Sequence, residues 1–178
     1  MGQTCGLICP DKFCMKACTR SRIDFPINIP KVQASIMHDH HNQPQALSQQ
    51  PSNGHRIAII GAGPAGIAAC AQLLKNGFSI TLFESTDRVG GALNLIPANR
   101  LPSEVINKEW EFIRQNPALE VRFNTPVTDI NALLRQGFEN IIVASGEPNA
   151  INLGVEGEDF AVSYIDYLRT PQKYISSG

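Results

Sequence analysis

Ile57-Ala58-Ile59-Ile60-Gly61-Ala62-Gly63-Pro64-Ala65-Gly66-Ile67 is the stretch on which the reading of this chain turns. Four apolar residues, Ile57–Ile60, make a buried strand. A G-x-G-x-x-G turn follows, and then a helix-forming run to about Asn76. Gly61 permits a tight turn, Gly63 lets backbone approach a pyrophosphate, and Gly66 lets the helix pack close to the sheet. Pro64 suits the first helical turn, where a missing N–H is no loss. The amides that start the helix then face an anionic ligand. A second strand, Ser79–Phe83, ends at Glu84, where a carboxylate can accept from the hydroxyls of an adenosine ribose. Strand, turn, helix, strand and acid in this order imply a dinucleotide site. A glycine-rich turn followed by an ordinary surface Glu is the plainer alternative.

The 18 residues Ile57–Leu74 carry no charge, a run long enough to raise a transmembrane reading. Three glycines and a proline inside the run, with Arg56 and Lys75 closing it, favour strand–turn–helix instead. Downstream, Pro102 opens a helix to about Gln115, Glu120–Phe123 reads as a strand, and Ile130–Arg135 as a short helix. Asn140–Ala144 is a further strand and Tyr164–Arg169 a last helix. Strands alternating with helices predict an α/β fold with a largely parallel sheet. Gly90-Gly91, six residues past Glu84, lets the chain pass close to a second part of an extended ligand, or serves as a simple loop.

The chain has 178 residues, is 43% hydrophobic and 17% charged, and has a net charge of −1. These are globular values with no basic run, which argues against a nucleic-acid or anionic-membrane surface. No secretory signal precedes the cysteines, so the expected address is cytoplasmic. Residues 1–41 form a cysteine-rich segment, with a helix-like piece from Ile29-Pro30 to about Met37. Residues 42–55 are a polar linker lacking apolar side chains to offset ordering entropy. Residues 56–178 hold the dinucleotide unit. His38, His40 and His41 read as solvated linker residues, although three histidines could also take a metal.

Cys5, Cys9, Cys14 and Cys18 crowd into the first eighteen residues. In a reducing compartment such crowding points to metal more than to disulfides. The i,i+4 spacing of each outer pair can put two sulfurs on one face of a helical turn. Iron–sulfur, zinc and redox-thiol chemistry all remain open from spacing alone. Cys70, inside the helix after the glycine turn, reads as a small buried hydrophobe.

With these pieces placed, the chain resembles the flavin module shared by the glutamate synthase small subunit and dihydropyrimidine dehydrogenase. The carrying stretches are CGLICPDKFCMKACTR (Cys5–Arg20), PINIPKVQ (Pro26–Gln33), GAGPAG, Phe83–Gly91, IPANRLP (Ile96–Pro102) and IIVASG (Ile141–Gly146). PINIPKVQ is most similar to the dihydropyrimidine dehydrogenase branch. The resemblance implies a Rossmann-like FAD-binding domain preceded by a short helical cysteine-rich segment. It implies that Ala62, Gly63, Pro64, Ala65 and Gly66 hold the FAD pyrophosphate and Glu84 the adenosine ribose. Gly90, Gly91 and Ala92 would line the next stretch of cofactor, Arg100 the flavin side or its phosphates, and Val127 the adenine region. Gly146 would let a strand end pass beside the cofactor. It further implies two [4Fe-4S] clusters with ligands from two cysteine-rich segments, of which this sequence has the second. Cys9, Cys14 and Gln33 would serve one cluster and Cys18 the other.

The implied activity is electron transfer from NAD(P)H through flavin to iron–sulfur clusters. The partner is a catalytic reductase subunit or domain carrying the substrate site, with neither nucleic acid nor membrane involved. No acid, base or nucleophile is named, since the flavin supplies the chemistry. Residues 147–178 are too few for the NAD(P)H-binding unit of such modules, which needs on the order of 100 residues. The chain therefore reads as an N-terminal fragment, its missing C-terminal half supplied by the rest of the parent protein or by a partner chain. Two competing readings are a non-catalytic subunit-interaction or zinc-binding remnant, and an NAD-binding Rossmann domain without flavin.

Overall fold

Alternating apolar strands and amphipathic helices form a four-stranded parallel sheet with helices on both faces. The computed structural model of the chain describes residues 1–10, 13–41, 47–147, 151 and 153–175, with the side chain of His41 outside this set. The strands are β1 (Arg56–Ile60), β2 (Ser79–Phe83), β3 (Leu119–Arg122) and β4 (Asn140–Val143), in the spatial order β3-β2-β1-β4. Every pairing is parallel; Ile57 lies opposite Ile80 on one side and Asn140 on the other. The order reverses between β1 and β4, and such a switch point opens a ligand crevice at the carboxyl ends of the strands.

Period-2 alternation divides the core. Ile57, Ile59, Ile80 and Leu82 face α4 (Pro64–Leu74) and α5 (Ser103–Arg114), packing on Ile67, Cys70, Leu74, Val105, Ile106, Trp110 and Ile113. Ala58 and Phe83 face the opposite way onto Leu133 of α6 (Ile130–Arg135) and Phe138. Asp129 caps α6 by accepting from the Asn131 N–H. α7 (Tyr164–Arg169) buries Ile165 and packs against the 3-10 turn Gly91–Leu95.

The cysteine-rich segment folds into α1 (Gly2–Ile8), the single turn α2 (Phe13–Lys16) and α3 (Ile29–His41). α3 runs one turn beyond the sequence expectation, so His38 and His40 belong to a helix rather than a loop. His40 lies edge-on to Phe112, and His38 Nδ1 is 3.3 Å from Gln3 Nε2. α1 and α3 cross closely because α1 presents glycines: a Cβ on Gly6 would lie 2.5 Å from the Pro30 carbonyl oxygen and 2.7 Å from Ala34 N.

Residues 42–46 of the expected linker lie outside the described residues. The remainder is laid down on the dinucleotide unit. Leu47 is buried and donates its N–H to Phe112 O, and Asn53 donates to Gly77 O. A polar composition hides this attachment, since apart from Leu47 it uses backbone groups and polar side chains such as Asn53, which donates to Asn76 O, and His55, beside Glu139. Among the described residues no helix is long and apolar enough to cross a membrane.

A candidate dinucleotide crevice

The glycine turn emerges from β1 at the switch point. Gly61 has φ +101°, a conformation that L side chains rarely adopt, and a Cβ there would come 2.4 Å from Ala144 O at the end of β4. A Cβ on Gly66 would fall 1.9 Å from Gly61 O, so the helix approaches its own turn as closely as hydrogen allows. Gly63 differs. Its φ is −73° and a Cβ there would meet nothing within 4 Å. The space in front of Gly63 is open, and α4 begins there with Pro64 in its first turn and no side-chain cap. The first bond of the helix runs from Ile67 N to Gly63 O, which leaves the Ala65 and Gly66 N–H groups as the helix-start donors.

Ala62 ties three sequence-distant stretches together. Its N–H donates to Glu84 Oε2 at 2.7 Å, and its carbonyl accepts from Gly90 N at 2.8 Å. A Cβ on Gly91, at φ +51°, would lie 3.0 Å from Gly63 Cα, so the second glycine pair stacks on the first turn. Asn94 supports this loop by donating to Val89 O. Glu84 is 7% exposed, and its Oε1 accepts from the Thr86 N–H and hydroxyl, each at 2.8 Å, and from the Ser85 hydroxyl. Burial alone would raise this carboxyl. The N–H bonds of Ala62 and Thr86 and the two hydroxyls outweigh it and hold the group below its ordinary value, ionised at neutral pH.

Val127 packs on the Phe83–Phe138 cluster, and its segment is tied to the acid turn through Thr125 N to Glu84 O. Gly146, at φ +74°, follows β4 beside the turn, and a Cβ there would meet nothing within 4 Å. Ala92 is exposed in the Gly91–Leu95 turn. Arg100 points to the cysteine segment: its Nη2 donates to Ile8 O at 3.1 Å. Thr86 and Asn94 were not legible in advance, because each acts through a local bond without a spacing signature.

No disulfide joins any of the five cysteines. Cys5, Cys9 and Cys14 are exposed and Cys18 is half-buried. Backbone hydrogen bonds, Ile27 first and then Arg20, lower the Cys18 thiol from its ordinary value. Gln33 Nε2 donates to Gly2 O at 2.9 Å, so its amide nitrogen is taken up by α1. Among the described residues no three His, Cys, Asp or Glu side chains converge as a metal set. Burial pushes the Cys70 thiol up to about 12, so it acts as a core hydrophobe.

Residues 59–119 match the NAD(P)-binding Rossmann-like domain family. Over 113 residues the chain is 42% identical to the NAD-dependent dihydropyrimidine dehydrogenase subunit PreT homolog of Salmonella typhi, covering 61% of this chain and 27% of that protein. Escherichia coli K12 NAD-dependent dihydropyrimidine dehydrogenase subunit PreT is 31% identical across 99% of this chain and 44% of its own length. The glutamate synthase [NADPH] small chain of Bacillus subtilis 168 is 31% identical across 97% of this chain and 36% of its own length. The chain thus spans less than half the length of these relatives.

Proposed function

This chain belongs to the family of the dihydropyrimidine dehydrogenase subunit and the glutamate synthase small chain, and from that premise we propose that it is the FAD-holding, electron-transfer part of an NAD(P)H-dependent oxidoreductase. The observation that carries the reading is the meeting of three stretches at Ala62: the glycine turn, Glu84 and the Gly90-Gly91 loop. The residues suit FAD. The open space before Gly63 and the uncapped start of α4 suit a pyrophosphate, held by the Ala65 and Gly66 N–H groups. The ionised Glu84 suits ribose hydroxyls, and the stacked second glycine loop suits a ligand that extends past the pyrophosphate. Bound FAD supplies two-electron exchange with a nicotinamide and one-electron exchange with clusters. The chain's own part is to bind, orient and exclude water.

The cysteine segment offers Cys9, Cys14 and Gln33 to one [4Fe-4S] cluster and Cys18 to another, with the remaining ligands coming from a second cysteine-bearing segment. Cys5, Cys9 and Cys14 are exposed, so their thiols are accessible to such shared ligation. The partner is a reductase subunit or domain that carries the substrate site.

The test is a visible spectrum of anaerobically purified chain with an FAD titration, and iron, sulfide and zinc analysis of the same sample. Flavin bands and saturable FAD binding are expected. Zinc without flavin affinity would overturn the reading in favour of a metal-binding interaction module.

A further inference from the structure

Glu109 has no part in the dinucleotide crevice, yet it is a carboxylate only 3% exposed in the middle of an apolar helix face. Its partners lie more than a hundred residues away. Oε1 accepts from the Gln3 N–H at 2.8 Å, and Oε2 accepts from the Thr4 hydroxyl. Gln3 and Thr4 are themselves buried, and the Met1 ammonium lies 3.8 Å from the same Oε1. Both sit in the first turn of α1, at the positive end of that helix. At its other end, Arg100 donates to the carbonyl of Ile8. An anion therefore holds the start of α1 and a cation its end, both from the stretch 100–109. Cys9 follows directly on the residue held by Arg100.

We propose that Glu109 is a positioning residue: it fixes the cysteine-bearing helix α1 on the dinucleotide unit and so sets where Cys9 stands relative to the crevice. The purpose of this placement rests on the electron-transfer reading, because electron transfer weakens steeply with distance. The contacts themselves do not rest on it. A polar linker could leave the cysteine segment loosely tethered. A buried acceptor bonded to two successive residues of α1 holds it in one orientation, since hydrogen bonds are directional where apolar packing is not.

Hydrogen exchange read by mass spectrometry on the whole chain tests this with two variants, alongside FAD titration of the same samples. Glu109→Leu fills much of the volume without an acceptor, and Glu109→Gln retains one acceptor oxygen. We expect opening of residues 2–8 to rise on the order of a hundredfold in Glu109→Leu and about tenfold in Glu109→Gln, with β1 and β2 unchanged. Wild-type protection of α1 in Glu109→Leu would overturn the proposal, because packing alone would then hold the helix. Equal loss of protection in α1 and the strands would also overturn it, by making Glu109 a part of one shared core. FAD affinity should stay within about twofold of wild type in both variants. A wild-type chain with no FAD affinity would overturn the electron-transfer purpose, whereas the exchange contrast judges the positioning itself.

Discussion

Gly63→Ala separates what the fold needs from what the ligand needs. A Cβ at this position meets nothing within 4 Å, and the backbone φ of −73° is ordinary for alanine. At a helix N-cap alanine is worse than glycine by about 0.5 kcal/mol, while the stiffer unfolded chain returns about 0.4–1 kcal/mol. Urea unfolding should therefore differ from wild type by less than about 1 kcal/mol. The new methyl stands in the open space before Gly63, more than 4 Å from the Ala65 and Gly66 nitrogens, where the pyrophosphate is proposed to lie. Hydrogen bonds from amides to a charged phosphate contribute about 1.5–3 kcal/mol each, so displacing both costs at least about 3 kcal/mol. That is a weakening of FAD binding by about a hundredfold or more. Isothermal titration with FAD, paired with the urea curve, measures both quantities. A stable variant that binds FAD within about threefold of wild type would refute the pyrophosphate assignment. A loss of more than about 2 kcal/mol of stability would refute the geometry of the open space.

Gly66→Ala should behave in the opposite way, because its Cβ falls 1.9 Å from Gly61 O: we expect about 3 kcal/mol or more of destabilisation in the urea midpoint, before any ligand is added. Gly6→Ala gains about 1 kcal/mol of helix propensity but drives a methyl into Pro30 O and Ala34 N; exchange should rise in α3 while β1 stays protected. Glu84 has a folded value lowered from its unfolded one of about 4.3, so its contribution is present above that pH and lost as pH falls through the folded value. Glu84→Gln should flatten the acid limb of stability measured by urea unfolding between about pH 5 and 2, and an unchanged limb would count against the Ala62 and Thr86 bonds as its cause.

The elements legible in advance were those whose signals are local. Ser79–Phe83, Ile130–Arg135 and Tyr164–Arg169 fall within their expected bounds, and the other strands and α5 lie within a residue or so, because alternation, capping and turn residues act over a few positions. α3 exceeds the sequence expectation by one turn: His38–His41 is polar, and its helical state comes from packing on α1 and against Phe112. Glu109 left one trace, a charge at an apolar position between Val105 and Ile113. Nothing in its neighbourhood says that its donors are Gln3 and Thr4.

Local chemistry along the chain is enough to specify the strand–glycine turn–helix unit and the acid that follows it. Gly61 at positive φ, Pro64 in a first turn and alternating isoleucines are each demanded by the conformation of the few residues around them. Which distant groups meet is settled in three dimensions: Ala62 bonds both Glu84 and Gly90, and α1 is held between Arg100 and Glu109. Those meetings depend on the strand order β3-β2-β1-β4 and on how α5 lies across the sheet, and no local pattern carries a long-range pairing.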